Sequence, residues 1–172
     1  GKIAGVDIRT VGSGNVGATN VARAAGKSFG VLTLLFDAAK GFAPVIAAQR
    51  LELSVEVVAV TAIAAFLGHL YPLYLKFKGG KGVATGFGAL LALAPMTTLV
   101  LIVVFALVVV VSRIVSLGSI AAAVATPLVL WLFHQPPVIV AMGGFLGAMA
   151  IFRHRTNIQR LLAGTEPRFG SD

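Results

Sequence analysis

The chain has 172 residues, of which 58% are hydrophobic and only 12% charged. Soluble domains are about 45–50% apolar and about 25% charged, so this composition, with a mean hydropathy of +0.95, places the chain in a membrane. It contains no cysteine, which excludes disulfides, thiolate metal sites and a cysteine nucleophile, and its net charge of +8 with one Trp and two Tyr suits anionic lipid or an anionic substrate better than nucleic acid.

The opening "GKIAGVDIRT" has neither an initiator Met nor the apolar stretch of a signal peptide. It predicts a chain that begins inside a longer protein. Next comes "VGSGNVGATN" (11–20), in which Gly12, Gly14 and Gly17 spell G-x-G-x-x-G. A dinucleotide fingerprint needs a strand before it, a helix after it and an alternating βαβ chain. Here only a weak "IAGVDI" precedes it and apolar helices follow; Asp37, at about the distance of a ribose-binding acid, sits inside one of them. The nucleotide fails on context, but the loop chemistry survives. Glycines let backbone N–H groups approach an anion, and Ser13, Asn15, Thr19 and Asn20 add neutral donors. Arg23 and Lys27 share a helical face and add positive charge.

A membrane-spanning helix needs roughly 17–25 mostly apolar residues. Segments at about 29–49, 55–73, 96–112, 115–133 and 137–153 qualify, and a shorter run at 82–94 predicts a short or half-sunk helix ending at Pro95. The expectation is an all-α integral membrane protein: six transmembrane helices in a single membrane domain over 1–172. Residues 1–28 and 74–81 are expected to form glycine-basic loops on one face. That face carries Lys2, Arg9, Arg23, Lys27, Lys76, Lys78, Lys81, Arg113, Arg153, Arg155, Arg160 and Arg168, against Arg50 alone on the other and Lys40 within a span. The positive-inside rule makes it cytoplasmic.

The second loop, "KFKGGKGVATG" (76–86), lacks the spacing of an ATP-binding P-loop, because Leu75 stands five before Gly80 and Gly82 follows Lys81. Lys78 and Lys81 nevertheless flank Gly79 and Gly80 directly before a helix N-terminus, where backbone dipoles favour anions. Two such loops on one face predict a site for a phosphorylated ligand. Asp37 and Lys40, three apart in the first span, read as an intramembrane ion pair or as shapers of the site. Ser116 and Ser119 start the fifth helix, Ser116 as a possible cap; His154 and Asn157 repeat that spacing past the last span. His69 reads as structural or at the site's edge. His134 lies on the far side, and the three histidines are too scattered for a zinc site.

"GSGNVGATNVARAAGK", "FDAAKGFAPV", "GHLYPLYLKFKGGKGVATGFG", "SLGSI" and "IFRHRTNIQRLLAGTE" resemble, in order and over essentially the whole chain, the motifs of the bacterial acyl-phosphate-dependent glycerol-3-phosphate acyltransferases. The resemblance implies seven helices in the full-length protein, with this chain starting after the first. It implies transfer of an acyl group from acyl phosphate to the 1-hydroxyl of glycerol 3-phosphate, giving lysophosphatidic acid and phosphate, the first step of phospholipid synthesis. It further implies a multi-pass location in the bacterial cytoplasmic membrane. The donor is already a mixed anhydride, so neither an enzyme nucleophile nor a metal or other cofactor is implied. By the same resemblance, Ser13, Arg23 and Lys81 bind substrate phosphate, and Ser119, His154 and Asn157 supply polar groups from the later helices. The hydroxyl proton goes either to His154 or to substrate phosphate, with the phosphate favoured. The His-x-x-x-x-Asp pair of the soluble-donor acyltransferases is missing: Tyr74, Ile139 and Gln159 stand five after the three histidines. Two other readings remain at this stage: a transporter for a phosphorylated solute or lipid, and a structural membrane subunit, which leaves the paired glycine-basic loops unexplained.

Overall fold

The computed structural model describes residues 2–3 and 5–169. Eight α-helices run through the described residues: α1 (Ala18–Ala25), α2 (Lys27–Arg50), α3 (Val55–Leu70), α4 (Val83–Leu93), α5 (Pro95–Ser112), α6 (Val115–Leu132), α7 (Pro137–Arg153) and α8 (Arg155–Leu162). The only strands among the described residues are β1 (Lys2–Ile3) and β2 (Val6–Asp7), an antiparallel pair that places Lys2 opposite Asp7. The chain is therefore an all-α membrane protein. Four segments are long and apolar enough to cross a bilayer: Lys27–Arg50, Val55–Leu75, Pro95–Ser112 and Val115–Leu132. A fifth is obtained if α7 and α8, bent by 59° at His154, count as one. Val83–Leu93 is apolar but short.

Two helices lie where the sequence predicts loop or tail. α1 falls within 1–28, and α8 follows the last span. Each has eight residues with a polar and an apolar face. Such short amphipathic helices stand by packing a narrow stripe on their neighbours, not by a long apolar run, so hydropathy passes over them. Pro95 and Pro137 mark helix starts as well as turns: each occupies the first helical turn, where its missing N–H leaves no hydrogen bond unmade.

Glycines set how closely the helices approach. α2 makes its most extensive contact with α4, and the fit is reciprocal. A Cβ on Gly41 of α2 would collide with the backbone of Thr85, and one on Gly88 of α4 with the carbonyl of Ala38. Without a hydrophobic drive between helices in lipid, close backbone contact of this kind is what holds them together. Phe66 and Leu70 of α3, Leu90 of α4, Leu130 of α6 and Leu146 of α7 fill the buried centre. Outward faces carry exposed Leu35 and Phe36 on α2, Val110 and Val111 on α5, and Leu128 and Trp131 on α6, as lipid contact requires.

Candidate active site

The first glycine loop is built around one side chain. Asn20, in the first turn of α1, is 3% exposed. Its Nδ2 donates to the carbonyls of Ile8 (3.0 Å), Val11 (3.0 Å) and Asn15 (2.9 Å), while its Oδ1 accepts the Ser13 N–H at 3.0 Å. Gly12 and Gly14 hold φ of +57° and +66°, which a side chain resists; a Cβ on Gly12 would also run into Asn20 Oδ1. Asn15 Oδ1 accepts the Gly17 N–H at 2.7 Å. Asn15 and Asn20 thus organise the loop, and Ser13, Thr19 and Arg23 are the exposed side chains it presents.

The second loop lies between α3 and the end of α7. Arg153 donates from Nε to the Gly80 carbonyl at 3.1 Å and from Nη2 to the Gly79 carbonyl at 2.8 Å. Its guanidinium sits 5.6 Å from the Tyr71 ring centroid. His69 Nε2 occupies the place a Cβ of Gly80 would take. His69 Nδ1 lies 3.5 Å from Asp37, and Lys40 Nζ lies 2.8 Å from the same carboxylate. The pair read from "FDAAKGF" is therefore an ion pair, with the His69 ring against the same carboxylate. These three residues line a cavity of about 200 Å³ with Gly79 and Gly80 on its wall. Lys78 is exposed on the turn before the loop, and His134 is exposed at the turn after α6.

Lys81 joins the second loop to the end of the chain. Its Nζ donates to Asn157 Oδ1 at 2.5 Å. Asn157 Nδ2 donates to Glu166 Oε1 at 2.6 Å, Ser116 Oγ donates to the same oxygen at 2.6 Å, and Arg160 Nε donates to Oε2 at 2.6 Å. Burial pushes the Lys81 ammonium down from 10.5 to about 8; Glu166 opposes the shift, and Arg160, Arg23 and Arg153 reinforce it. Arg23 of α1, next to the first loop, thus lies within electrostatic reach of Lys81. Burial alone would raise the Glu166 carboxyl, but hydrogen bonds from Ser116, Asn157 and Arg160 outweigh it and keep the group ionised. Four cations against one carboxylate leave a surplus of positive charge that suits a phosphate dianion.

His154 sits at the bend between α7 and α8, 3% exposed. Its Nδ1 is 2.7 Å from the Ala150 carbonyl; a carbonyl only accepts, so Nδ1 carries the proton and Nε2 is left as acceptor. Ser119 is buried and its Oγ donates to the Val115 carbonyl at 3.0 Å. Ser116 is not a cap: Ile114 holds that position, and the Ser116 hydroxyl reaches Glu166 instead.

Glu166, Arg153 and Arg160 are members of this site that sequence reasoning passes over as functional groups. Glu166 is returned to α8 by a helix stop at Gly164, whose φ is +69°. The N–H of Gly164 donates to Leu161 and that of Thr165 to Arg160, a tight reversal. "LLAGTE" does carry that stop signal, a glycine just past a helix. Arg153 reads from sequence as one more topology-setting charge.

A family model described as glycerol-3-phosphate acyltransferase matches residues 1–164. The chain is 54% identical over 164 residues to a protein of Syntrophotalea carbinolica named glycerol-3-phosphate acyltransferase, covering 95% of this chain and 84% of that one. It is 46% identical over 169 residues to the protein of that name from Aquifex aeolicus, covering 98% and 88%. Among solved structures, it resembles PlsY (YgiH), an integral membrane glycerol 3-phosphate acyltransferase. The glycerol 3-phosphate form matches with a TM-score of 0.93 at 46% identity, covering 96% of this chain and 84% of that one. The lysophosphatidic acid form matches with a TM-score of 0.87 at 45% identity, covering 92% and 81%. Motifs, fold and relatives agree over nearly the whole chain, which belongs to the glycerol-3-phosphate acyltransferase family of integral membrane enzymes.

Proposed function

We propose that this chain transfers an acyl group from acyl phosphate to the 1-hydroxyl of glycerol 3-phosphate, releasing lysophosphatidic acid and phosphate. The observation that carries the reading is the meeting of two glycine loops and the charges of Arg23, Lys81, Arg153 and Arg160 at one end of an apolar bundle. Both substrates are phosphorylated and one has an acyl tail, so a site half in lipid and half in water fits them together. Relatives at 45–46% identity whose structures are described as glycerol 3-phosphate and lysophosphatidic acid forms support the same reaction, and they favour it over transport.

The hydroxyl oxygen attacks the acyl carbon, the bond from that carbon to the phosphate oxygen breaks, and the hydroxyl proton ends on the released phosphate. Catalysis then consists of holding two mutually repelling anions in line and stabilising the charge that develops. Ser13, Arg23 and Lys81 hold substrate phosphate, with Gly12, Gly14, Gly79 and Gly80 giving the backbone close access. Ser119, His154 and Asn157 complete the polar lining. Asn15 and Asn20 act by shaping the first loop, and Thr19 and Lys78 lie at its rim and at that of the second. The proton passes to the substrate phosphate, with His154 as a neutral hydrogen-bonding partner. The helix bundle is read as six segments in the bacterial cytoplasmic membrane, counting α7 with α8 as one and the short α4 as a half-sunk sixth, with the site on the cytoplasmic, basic side.

Purified protein in detergent, given a long-chain acyl phosphate and glycerol 3-phosphate, is expected to release phosphate and form lysophosphatidic acid in equal amounts. Absence of phosphate release overturns the reading. Movement of glycerol 3-phosphate across liposomes without acyl product would establish transport instead.

A further inference from the structure

We propose that Arg153 is a positioning residue that aims the N–H groups of Gly80 and Lys81 at a substrate phosphate. The inference rests on the reading of the second loop as a phosphate holder and adds what sets the loop's geometry. The Gly79 carbonyl and the Gly80 N–H belong to one peptide unit, and the Gly80 carbonyl and the Lys81 N–H to the next. Both units are trans, so within each the N–H points opposite to the C=O. Arg153 takes both carbonyls, at 2.8 and 3.1 Å. Both N–H groups therefore leave the loop on the side away from Arg153, next to one another.

Neither of those N–H groups has a hydrogen-bond partner among the described residues, whereas the Gly79 N–H donates to the Leu70 carbonyl at 3.1 Å. Gly80 is buried and Lys81 half-buried, and unpaired backbone donors in such places are rare unless a ligand or water takes them. Two adjacent N–H groups aimed the same way form an anion-binding concavity, and the Lys81 ammonium belongs to the same loop. The planar guanidinium is suited to the task because its Nε–H and Nη2–H form a rigid, near-parallel fork that takes two neighbouring carbonyls. It is itself held by the Tyr71 ring. His69 Nε2 fills the space a Cβ on Gly80 would take, so no side chain fits at that position. A lysine at 153 keeps the charge and loses the fork, which separates orientation from simple attraction.

The test is Arg153→Lys in the purified full chain, with KM and kcat measured for both substrates. We expect the KM of one phosphorylated substrate to rise about tenfold, with the other KM and kcat staying within about twofold, the signature of lost uniform binding. Unchanged KM values overturn the proposal, and so does an equal rise in both, which is the mark of a general structural defect. Should the variant not fold, the wild-type protein decides. Labelling with carbonyl-13C glycine and 15N lysine reports only the amides of Lys2, Lys27 and Lys81, the three lysines preceded by glycine. Glycerol 3-phosphate and a long-chain acyl phosphate are titrated separately, and one of them is expected to shift the Lys81 amide saturably and leave Lys27 in place. A stationary Lys81 amide overturns the proposal. This readout needs no turnover, so an inactive wild-type protein that still shows the shift would overturn acyl transfer and leave the positioning role standing.

Discussion

Lys81 and Asn157 are hydrogen-bonded at 2.5 Å although 76 residues of chain separate them. That contact links the second glycine loop to the helix after the last span, and through Asn157 it couples Lys81 to Glu166. The half-buried ammonium is where the site's charge becomes sensitive to pH.

With Lys81 held near 8 in the folded protein, the cation proposed to hold phosphate is present below that value and lost above it. We expect kcat/KM to be steady from about pH 7 to about pH 8 and then to fall about tenfold per pH unit, as titration of one essential group requires. Lys81→Arg, whose guanidinium stays charged, should lose that alkaline limb whatever its basal rate. Stability runs the other way. Between about 8 and 10.5 the unfolded chain keeps a proton that the folded chain has released, so the substrate-free protein should become more stable as pH rises through that window. A wild-type kcat/KM that is flat to pH 9.5 contradicts the assignment.

Glu166 gathers Ser116, Asn157 and Arg160 onto one carboxylate. Glu166→Gln removes the charge and replaces one acceptor oxygen with a donor that faces another donor. The expected destabilisation is about 1–3 kcal/mol, the typical penalty for stranding a partly buried polar partner, read as a lower unfolding midpoint in detergent. The kcat of the folded fraction should fall as well, because Asn157 loses the contact that orients it toward Lys81.

His154 donates from Nδ1 to the Ala150 carbonyl. If substrate phosphate takes the hydroxyl proton, His154→Ala lowers kcat but leaves the acidic side of the pH–rate profile where it was. A general base typically supplies about 10²–10⁴ in rate, so loss of the acidic limb together with a drop of that size would make His154 the base.

The contact between α2 and α4 is the point at which the bundle tolerates least change. Gly41→Ala drives a methyl into the Thr85 backbone, and we expect the cost of overpacking, about 1–3 kcal/mol, with loss of folded protein in size-exclusion profiles. Gly68→Ala on α3 meets nothing within 4 Å and should be neutral or slightly stabilising. Equal behaviour of the two variants would argue against glycine-governed packing here.

Long apolar runs in the sequence predict helices because a chain in lipid must satisfy its backbone within each segment, and the positions of α2, α3, α5, α6 and α7 follow from that rule. Glycine-basic loops are readable for a similar reason: the chemistry that suits phosphate is local to "GSGNVGATN" and "KGGKG". The Asp37–Lys40 pair is local too, one helical turn apart. α1 and α8 escape notice because a short amphipathic helix has no apolar run to announce it. Asp37–His69, Arg153–Gly79 and Lys81–Asn157 escape because each joins residues far apart in the chain, from different helices or from a helix and a loop. Their meeting depends on which faces pack and how deeply, and hydropathy is blind to close backbone approaches such as those at Gly41, Gly88 and Gly147. Residue chemistry thus marks two glycine-basic loops on a membrane bundle, while helix packing selects which cations, amides and carboxylate meet around them.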